Sequence, residues 1–265
     1  MGQFIEVTCP RNLFFIRPVV DNSLLRIGDK ADGGYAISLN AIKQTQMFLS
    51  LGLGENWSFE SAVSEINPTA PIDVYDDTVS FGFFLKTVIK GLIKFVFFQD
   101  SKSNFFARLY RLKNYYTFWV KESANNHHHV RITKQSFNEI LLKYPKEIAL
   151  GIKIDIESSE WEILDLMSRH QKMFEFMLIE FHDFDAHQPE LDAFLGEVAD
   201  AFTLSHLHAN NFEGLGLNGF PKVFEITLIR KGSVSAPKEF RKELPILGLD
   251  EPNARNRPDF RIEFI

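Results

Sequence analysis

At 265 residues with 45% hydrophobic content, the chain can bury a sizeable core and fits one large domain (residues 1–265) with decorations better than two full domains. A net charge of −6 argues against a general nucleic-acid binder, and the single cysteine, Cys9, excludes an intramolecular disulfide and fits a reducing compartment. No apolar run reaches the roughly 18 residues that span a bilayer and no secretory leader is legible, so a soluble cytoplasmic protein is expected.

Residues 1–22 mix short apolar runs with Pro10 and Pro18 and predict no regular element. Residues 24–38, LLRIGDKADGGYAIS, place Asp32, Gly33 and Gly34 between two extended pieces, which reads as a hairpin or as a loop that folds over a ligand. Residues 48–60, FLSLGLGENWSFE, are the centre of the reading. A short apolar strand closes on Gly52 and Gly54, then Glu55, Asn56 and Ser58 supply helix-start residues, and Trp57, Phe59 and Val63 begin an apolar face. Such a turn presents backbone N–H groups to an anionic or polar ligand, or is simply a tight turn.

Residues 71–78, PIDVYDDT, form a second strand ending in Asp76 and Asp77, and Asp76 lies 22 positions (76 minus 54) beyond Gly54. At that spacing in a doubly wound sheet a carboxylate can accept both ribose hydroxyls of a nucleoside, although a solvated turn is the plainer reading. With no Lys or Arg in the glycine turn, S-adenosylmethionine suits the site better than a dinucleotide.

Residues 79–120 read as an inserted helical segment dense in aromatic and basic residues, with Asp100 its single acid. Lys86, Lys90 and Lys94 fall on one helix face, and Phe84, Val88, Leu92 and Phe95 on another. The segment is either a helical pair packed on the sheet or a basic amphipathic surface over residues 81–120 that touches the inner membrane face or an anionic lipid-linked substrate. His127, His128 and His129 point in different directions and read as surface loop. A helix over 136–143 ends before Pro145.

Residues 149–156, ALGIKIDI, read as a central parallel strand, apolar except for Lys153 and ending in Asp155 and Glu157. Ser158 or Ser159 is expected to cap the helix that follows. Strand 174–181 delivers Glu180, His182 and Asp183; strand 201–208 delivers His206, His208, Asn210 and Asn211; and strand 223–230 returns antiparallel. The tail, residues 233–265, is expected to wrap the surface without a core of its own. Alternating strands and helices predict an open, mostly parallel α/β sheet, whose ligands gather at the carboxyl ends of the strands. The carboxylates and imidazoles at those ends therefore read as one site.

The run GIKIDIESSEWEIL (residues 151–164) resembles the "lKiDvEGaEwevL" signature of the FkbM-type S-adenosylmethionine-dependent methyltransferases, with Ser158 and Ser159 where the pattern has Gly and Ala. SLGLGENWSFE, VYDDT, RIGDKADGGYAI, IEFH and HLHANN follow the order of that family. The resemblance implies a class I, Rossmann-like methyltransferase fold with a seven-stranded sheet flanked by helices, and transfer of a methyl group to a hydroxyl of a sugar-containing small molecule, glycan or polysaccharide. It implies that Gly52, Gly54 and Glu55, Asn56, Trp57 and Ser58 line the cofactor, that Asp76 or Asp77 holds the ribose, and that Arg26 and Tyr35 close over it. Asp155 would stand beside the methionine amino group or the acceptor, while Glu180, His208 and Asn210 would face the substrate.

An acceptor hydroxyl must lose its proton, so His182 and then His208 are the candidate bases, with Asp155 beside them. Asp155, Glu180, His182 and His208 could also hold Mg or Mn. Other classes remain open: a metal-dependent glycosyltransferase using VYDD, a non-catalytic binding module that keeps the fold, and a membrane-associated scaffold.

Overall fold

The computed structural model describes residues 4–97, 99–121, 124–233 and 239–265. Of the segments read above, residues 1–3, Phe98 and residues 234–238 lie outside the described residues. The elements run in order β1 (Phe4–Thr8), β2 (Leu24–Gly28), β3 (Gly34–Ser38), α1 (Leu39–Gln44), β4 (Met47–Leu51), α2 (Ser58–Ile66) and β5 (Ile72–Tyr75). Then come α3 (Phe81–Val96), α4 (Lys102–Tyr115), β6 (Asn126–His128), α5 (Lys134–Leu141), β7 (Leu150–Ile154), α6 (Leu164–Arg169) and β8 (Phe174–Phe181). The chain closes with α7 (Gln188–Val198), β9 (Phe202–Ala209), β10 (Phe224–Arg230), β11 (Glu243–Leu244) and β12 (Asp259–Glu263).

Seven strands form the main sheet in the order β6-β5-β4-β7-β8-β10-β9. β10 runs antiparallel to both β8 and β9, while the ladders joining β6, β5, β4, β7 and β8 are parallel. This is the Rossmann-like class I methyltransferase fold, a mostly parallel sheet flanked by helices. β7 is buried at every position, as a central parallel strand covered on both faces must be.

Because strand side chains alternate, the sheet supports two cores. On one face Leu49, Leu51, Ile152, Ile154, Met177 and Ile179 pack with Phe137 of α5, Met167 of α6 and Phe194 of α7. On the other, Phe48, Val74, Phe176 and Leu178 pack with Tyr35 and Ile37 of the β2–β3 hairpin, Ile42 of α1 and Phe59 of α2.

Three expectations need correction. Asn126–His128 is an edge strand, not a loop: it pairs with β5, and His128 stacks on Tyr75 with ring centroids 4.5 Å apart. The N-terminal segment does hold an element, because β1 pairs in parallel with β12, and β11 joins them as a second sheet. The tail accordingly has core residues: Leu244, Phe260, Ile262 and Phe264 are buried against the same core as β8 and β9. Alternation of Leu244 and of Phe260, Ile262 and Phe264 with polar residues is the signal, hidden by the surrounding prolines and charges.

Candidate functional site

The glycine turn leaves β4 at the carboxyl edge of the sheet. Gly52 adopts φ 84°, and a Cβ there would stand 1.7 Å from the Asp155 carbonyl oxygen, so the β4 and β7 ends meet as only glycine allows. Asp76, at the end of β5, fixes the turn from below. Its Oδ2 accepts from the N–H of Leu53 at 2.7 Å and of Gly54 at 3.0 Å, while Oδ1 accepts from the Thr78 N–H and hydroxyl and the Val79 N–H. Burial works to raise its pKa, but the bonds from Thr78, Gly54 and Leu53 outweigh burial and hold the carboxyl at about 2.

One sequence reading, that of free amides in the glycine turn, changes as a result. The Leu53 and Gly54 N–H groups serve Asp76, and both Asp76 oxygens are engaged by protein donors. Asp77, its exposed neighbour, also stands on the cleft wall.

A cleft of about 510 Å³ opens beside this turn. Its walls carry Asp32, Glu55, Asp76, Asp77, Asp155 and Glu157 against two cations, Lys153 and Arg131. The β2–β3 hairpin closes one side through Gly33 and the buried Tyr35. Asn56 ties that hairpin down: its amide donates to the Asp32 carbonyl at 2.9 Å, while its Oδ1 accepts from the Ser58 N–H that opens α2. Ser58 bonds the Gly33 carbonyl, and Trp57 turns away to pack edge-on against Phe84 and Tyr115. Glu55 remains on the cleft, its carboxylate 2.7 Å from Arg111 of α4. Arg26 bonds the Asp29 and Ala31 carbonyls and braces the hairpin rather than lining the cleft.

Lys153 is the residue that sequence reasoning passed over. Only 4% exposed, it donates to the Gly52 carbonyl at 2.9 Å and lies 3.4 Å from Glu60 of α2, which in turn accepts from Ser50 at 2.6 Å. Burial alone would lower the lysine pKa; the charges of Glu60 and Asp155 outweigh it and raise the pKa. A lone charge in an otherwise apolar central strand requires a buried partner, and that was the available signal.

At the next strand end His182 comes together with Asp155 and Glu157, their ligand atoms within 4.8 Å of one another. His182 Nδ1 lies 3.0 Å from Glu160, which is fully buried, and Nε2 lies 3.6 Å from Glu157. Burial favours the neutral ring, but the Glu160 bond and the charges of Glu160, Glu180 and Asp155 push its pKa up to about 9. Glu157 and Ser158 adopt φ of 52° and 70°. Ser158 therefore occupies a left-handed position where the family pattern has glycine, and neither serine caps a helix: Ser158 donates to Asp183 at 2.9 Å, and a 3₁₀ turn, Glu160–Glu162, follows. Ser158 is thus a strained backbone site that glycine would occupy without cost.

The remaining strand ends lie elsewhere. Glu180 is 6% exposed and accepts from Asn210 at 2.7 Å; burial first, then the Asp155 charge, raise its pKa to about 8. Glu225 of β10 sits in register between Glu180 and His208. His208, 3% exposed, is 3.8 Å from both Glu225 and Asp259, and His206 is 2.8 Å from Asp250, both side chains fully buried. Strands and loops of the C-terminal tail thus cover this end, and His208 is not on the cleft. The strand ends form an open group (Gly52, Gly54, Asp77, Asp155, His182) and a closed one (Glu225, His206, His208).

No family model matches the chain, and no curated protein matches it. Among solved structures it is similar to a putative methyltransferase from Streptococcus mutans in complex with SAH, at 11% identity over 72% of this chain and 93% of that one, TM-score 0.39. It is also similar to a precorrin-6y C5,15-methyltransferase from Geobacter metallireducens (13% identity, 72% and 86% covered, TM-score 0.37). A predicted O-methyltransferase from Agrobacterium tumefaciens is a further likeness (10% identity, 86% and 85% covered, TM-score 0.34).

Proposed function

We propose that the chain is an S-adenosylmethionine-dependent methyltransferase of the FkbM type that methylates a hydroxyl oxygen of a sugar-containing acceptor. The observation that carries the cofactor reading is the charge of the cleft: six carboxylates face two cations at the carboxyl edge of a class I sheet. That lining suits a sulfonium and a ribose, and it repels the diphosphate of a dinucleotide or nucleotide sugar. Asp77 would hold the ribose hydroxyls, Asp155 the methionine ammonium, and the Gly52–Gly54 turn would leave room for the backbone to pass close by. When bound, the cofactor supplies an electrophilic methyl group. The sugar acceptor rests on the resemblance of residues 151–164, and a cleft wall of carboxylates gives its hydroxyls partners.

The chain's own task is to place an acceptor oxygen in line with the methyl group and to take its proton. His182 stands beside Asp155 and Glu157 of the cleft wall, with Nδ1 held by Glu160 and Nε2 turned toward Glu157, the arrangement of an oriented base. With its pKa near 9 the ring holds a proton at neutral pH, so its contribution as a base grows toward alkaline pH. A second reading is favoured by the same geometry: Asp155, Glu157 and His182 offer three ligand atoms to Mg or Mn, which would acidify the acceptor hydroxyl.

The test is radiolabelled methyl transfer to a panel of glycans and glycosylated small molecules by the parent and by His182→Asn. The variant is expected to lose about 10²- to 10⁴-fold in kcat while binding S-adenosylhomocysteine like the parent. Equal turnover by the variant would remove His182 from the reaction. Turnover abolished by a chelator and restored by Mg or Mn would favour the metal reading.

A further inference from the structure

The α3–α4 hairpin leaves an apolar surface uncovered. α3 turns Phe84, Val88 and Gly91 inward, with Phe84 against Trp57 and Tyr115, and Arg108 of α4 lies over Gly91 while holding Asp100 at the hairpin turn. Outside this seam Phe81, Leu85, Ile89, Leu92, Ile93 and Val96 are each 40–60% exposed. The sequence pattern groups Leu92 with Phe84 and Val88; in the structure those two are buried and Leu92 is exposed.

At about 100° per residue these six side chains cover a continuous arc of about 120°, and Lys86, Lys90 and Lys94, all exposed, fill the adjoining sector. Single apolar residues are ordinary on a surface, but a contiguous stripe marks an interaction face. Aromatic rings extend it: Tyr116 lies 6.1 Å from Phe81, and Phe97 is 68% exposed at the far end.

Charge selects the occupant. Residues 79–120 carry seven Lys and Arg against one acid, a formal +6, so the rest of a chain of net charge −6 carries −12. A two-fold pairing of copies through this stripe would bring like rows of lysines together, whereas an anionic lipid surface meets both the stripe and the lysines. No described helix is long and apolar enough to cross a membrane, which fits a helix lying along one.

We propose that α3 docks on an anionic lipid surface, lying parallel to the bilayer plane with Leu85, Ile89 and Ile93 in the headgroup boundary and Lys86, Lys90 and Lys94 on lipid phosphates. This inference is independent of methyl transfer. The base of the hairpin is nonetheless tied to the cleft rim, through Arg111 on Glu55 and through Tyr115 and the Asp76 carbonyl on His127, so a docked protein presents its cleft near the lipid.

The experiment is co-sedimentation of the full chain with phosphatidylcholine vesicles and with vesicles that also contain phosphatidylglycerol. The expected result is binding to the anionic vesicles only, weakened by salt, and reduced roughly a hundredfold in Lys86→Gln/Lys90→Gln/Lys94→Gln. Ile89→Glu/Ile93→Glu should abolish it with an unchanged circular dichroism spectrum, since both residues are exposed. A folded parent that ignores anionic vesicles at low salt, or stripe variants that bind like the parent, would overturn the proposal. So would a parent dimer that Ile89→Glu/Ile93→Glu converts to monomer, because a second copy would then own the stripe.

Discussion

The two ends of one sheet edge carry the same chemical groups and put them to opposite use. At the β4, β5 and β7 ends, carboxylates and Lys153 surround an open cleft, with Asp76 bonded by the amides of its own turn and of the glycine turn, and Asp77 and Asp155 on the cleft wall. At the β10 and β9 ends, Glu225, His206 and His208 are buried, and Asp250 and Asp259 of the tail close over them. The difference teaches that a strand-end carboxylate or histidine is a candidate for chemistry only where nothing is folded over it.

The largest way to sharpen this contrast is within the open half. Lys153→Met should cost about 3–5 kcal/mol in urea unfolding, because Glu60 is left as an uncompensated buried charge, and Lys153→Met/Glu60→Gln should recover part of the loss. In the closed half, Asp250→Ala strands the buried His206 and should cost about 2–3 kcal/mol while leaving S-adenosylhomocysteine affinity within about twofold. A large loss of affinity in that variant would erase the division between the halves.

The fold was legible because it rests on local signals. Apolar runs of strand length, the Gly52 and Gly54 turn, and the antiparallel return of residues 223–230 are all visible without tertiary knowledge. The resemblance of residues 151–164 supplied the rest. What could not be read was which strand ends are covered, since Asp250 and Asp259 lie more than 40 residues from the histidines they meet. Nor could the sequence say that Asp76 spends its oxygens on the Leu53, Gly54, Thr78 and Val79 amides, because backbone donors leave no mark in composition. Ser158 was legible only as a departure from a pattern; its φ of 70° gives the departure its meaning.

A smaller, graded effect follows from pH, with opposite signs at His208 and Asp76. The His208 pKa, which burial alone would lower, is raised to about 9 by Asp259, Asp250 and Glu225, with His206 nearby. Its contribution to stability is therefore complete below its ordinary value near 6.5 and is lost as pH rises through about 9. Asp76 works the other way: its contribution is complete above 3.8 and is lost as pH falls toward 2. Melting temperatures across this range should fall at both ends, and His208→Gln should flatten the alkaline decline while leaving the acid one. An unchanged alkaline decline would assign it to another group.

The most direct measurement is calorimetric titration with S-adenosylhomocysteine of the parent protein and of Asp77→Asn. The account predicts micromolar binding by the parent and about tenfold weaker binding by the variant, the loss of one charged hydrogen-bond acceptor for the ribose. A folded parent that binds no S-adenosylhomocysteine, or that binds a nucleoside diphosphate sugar instead, would contradict it.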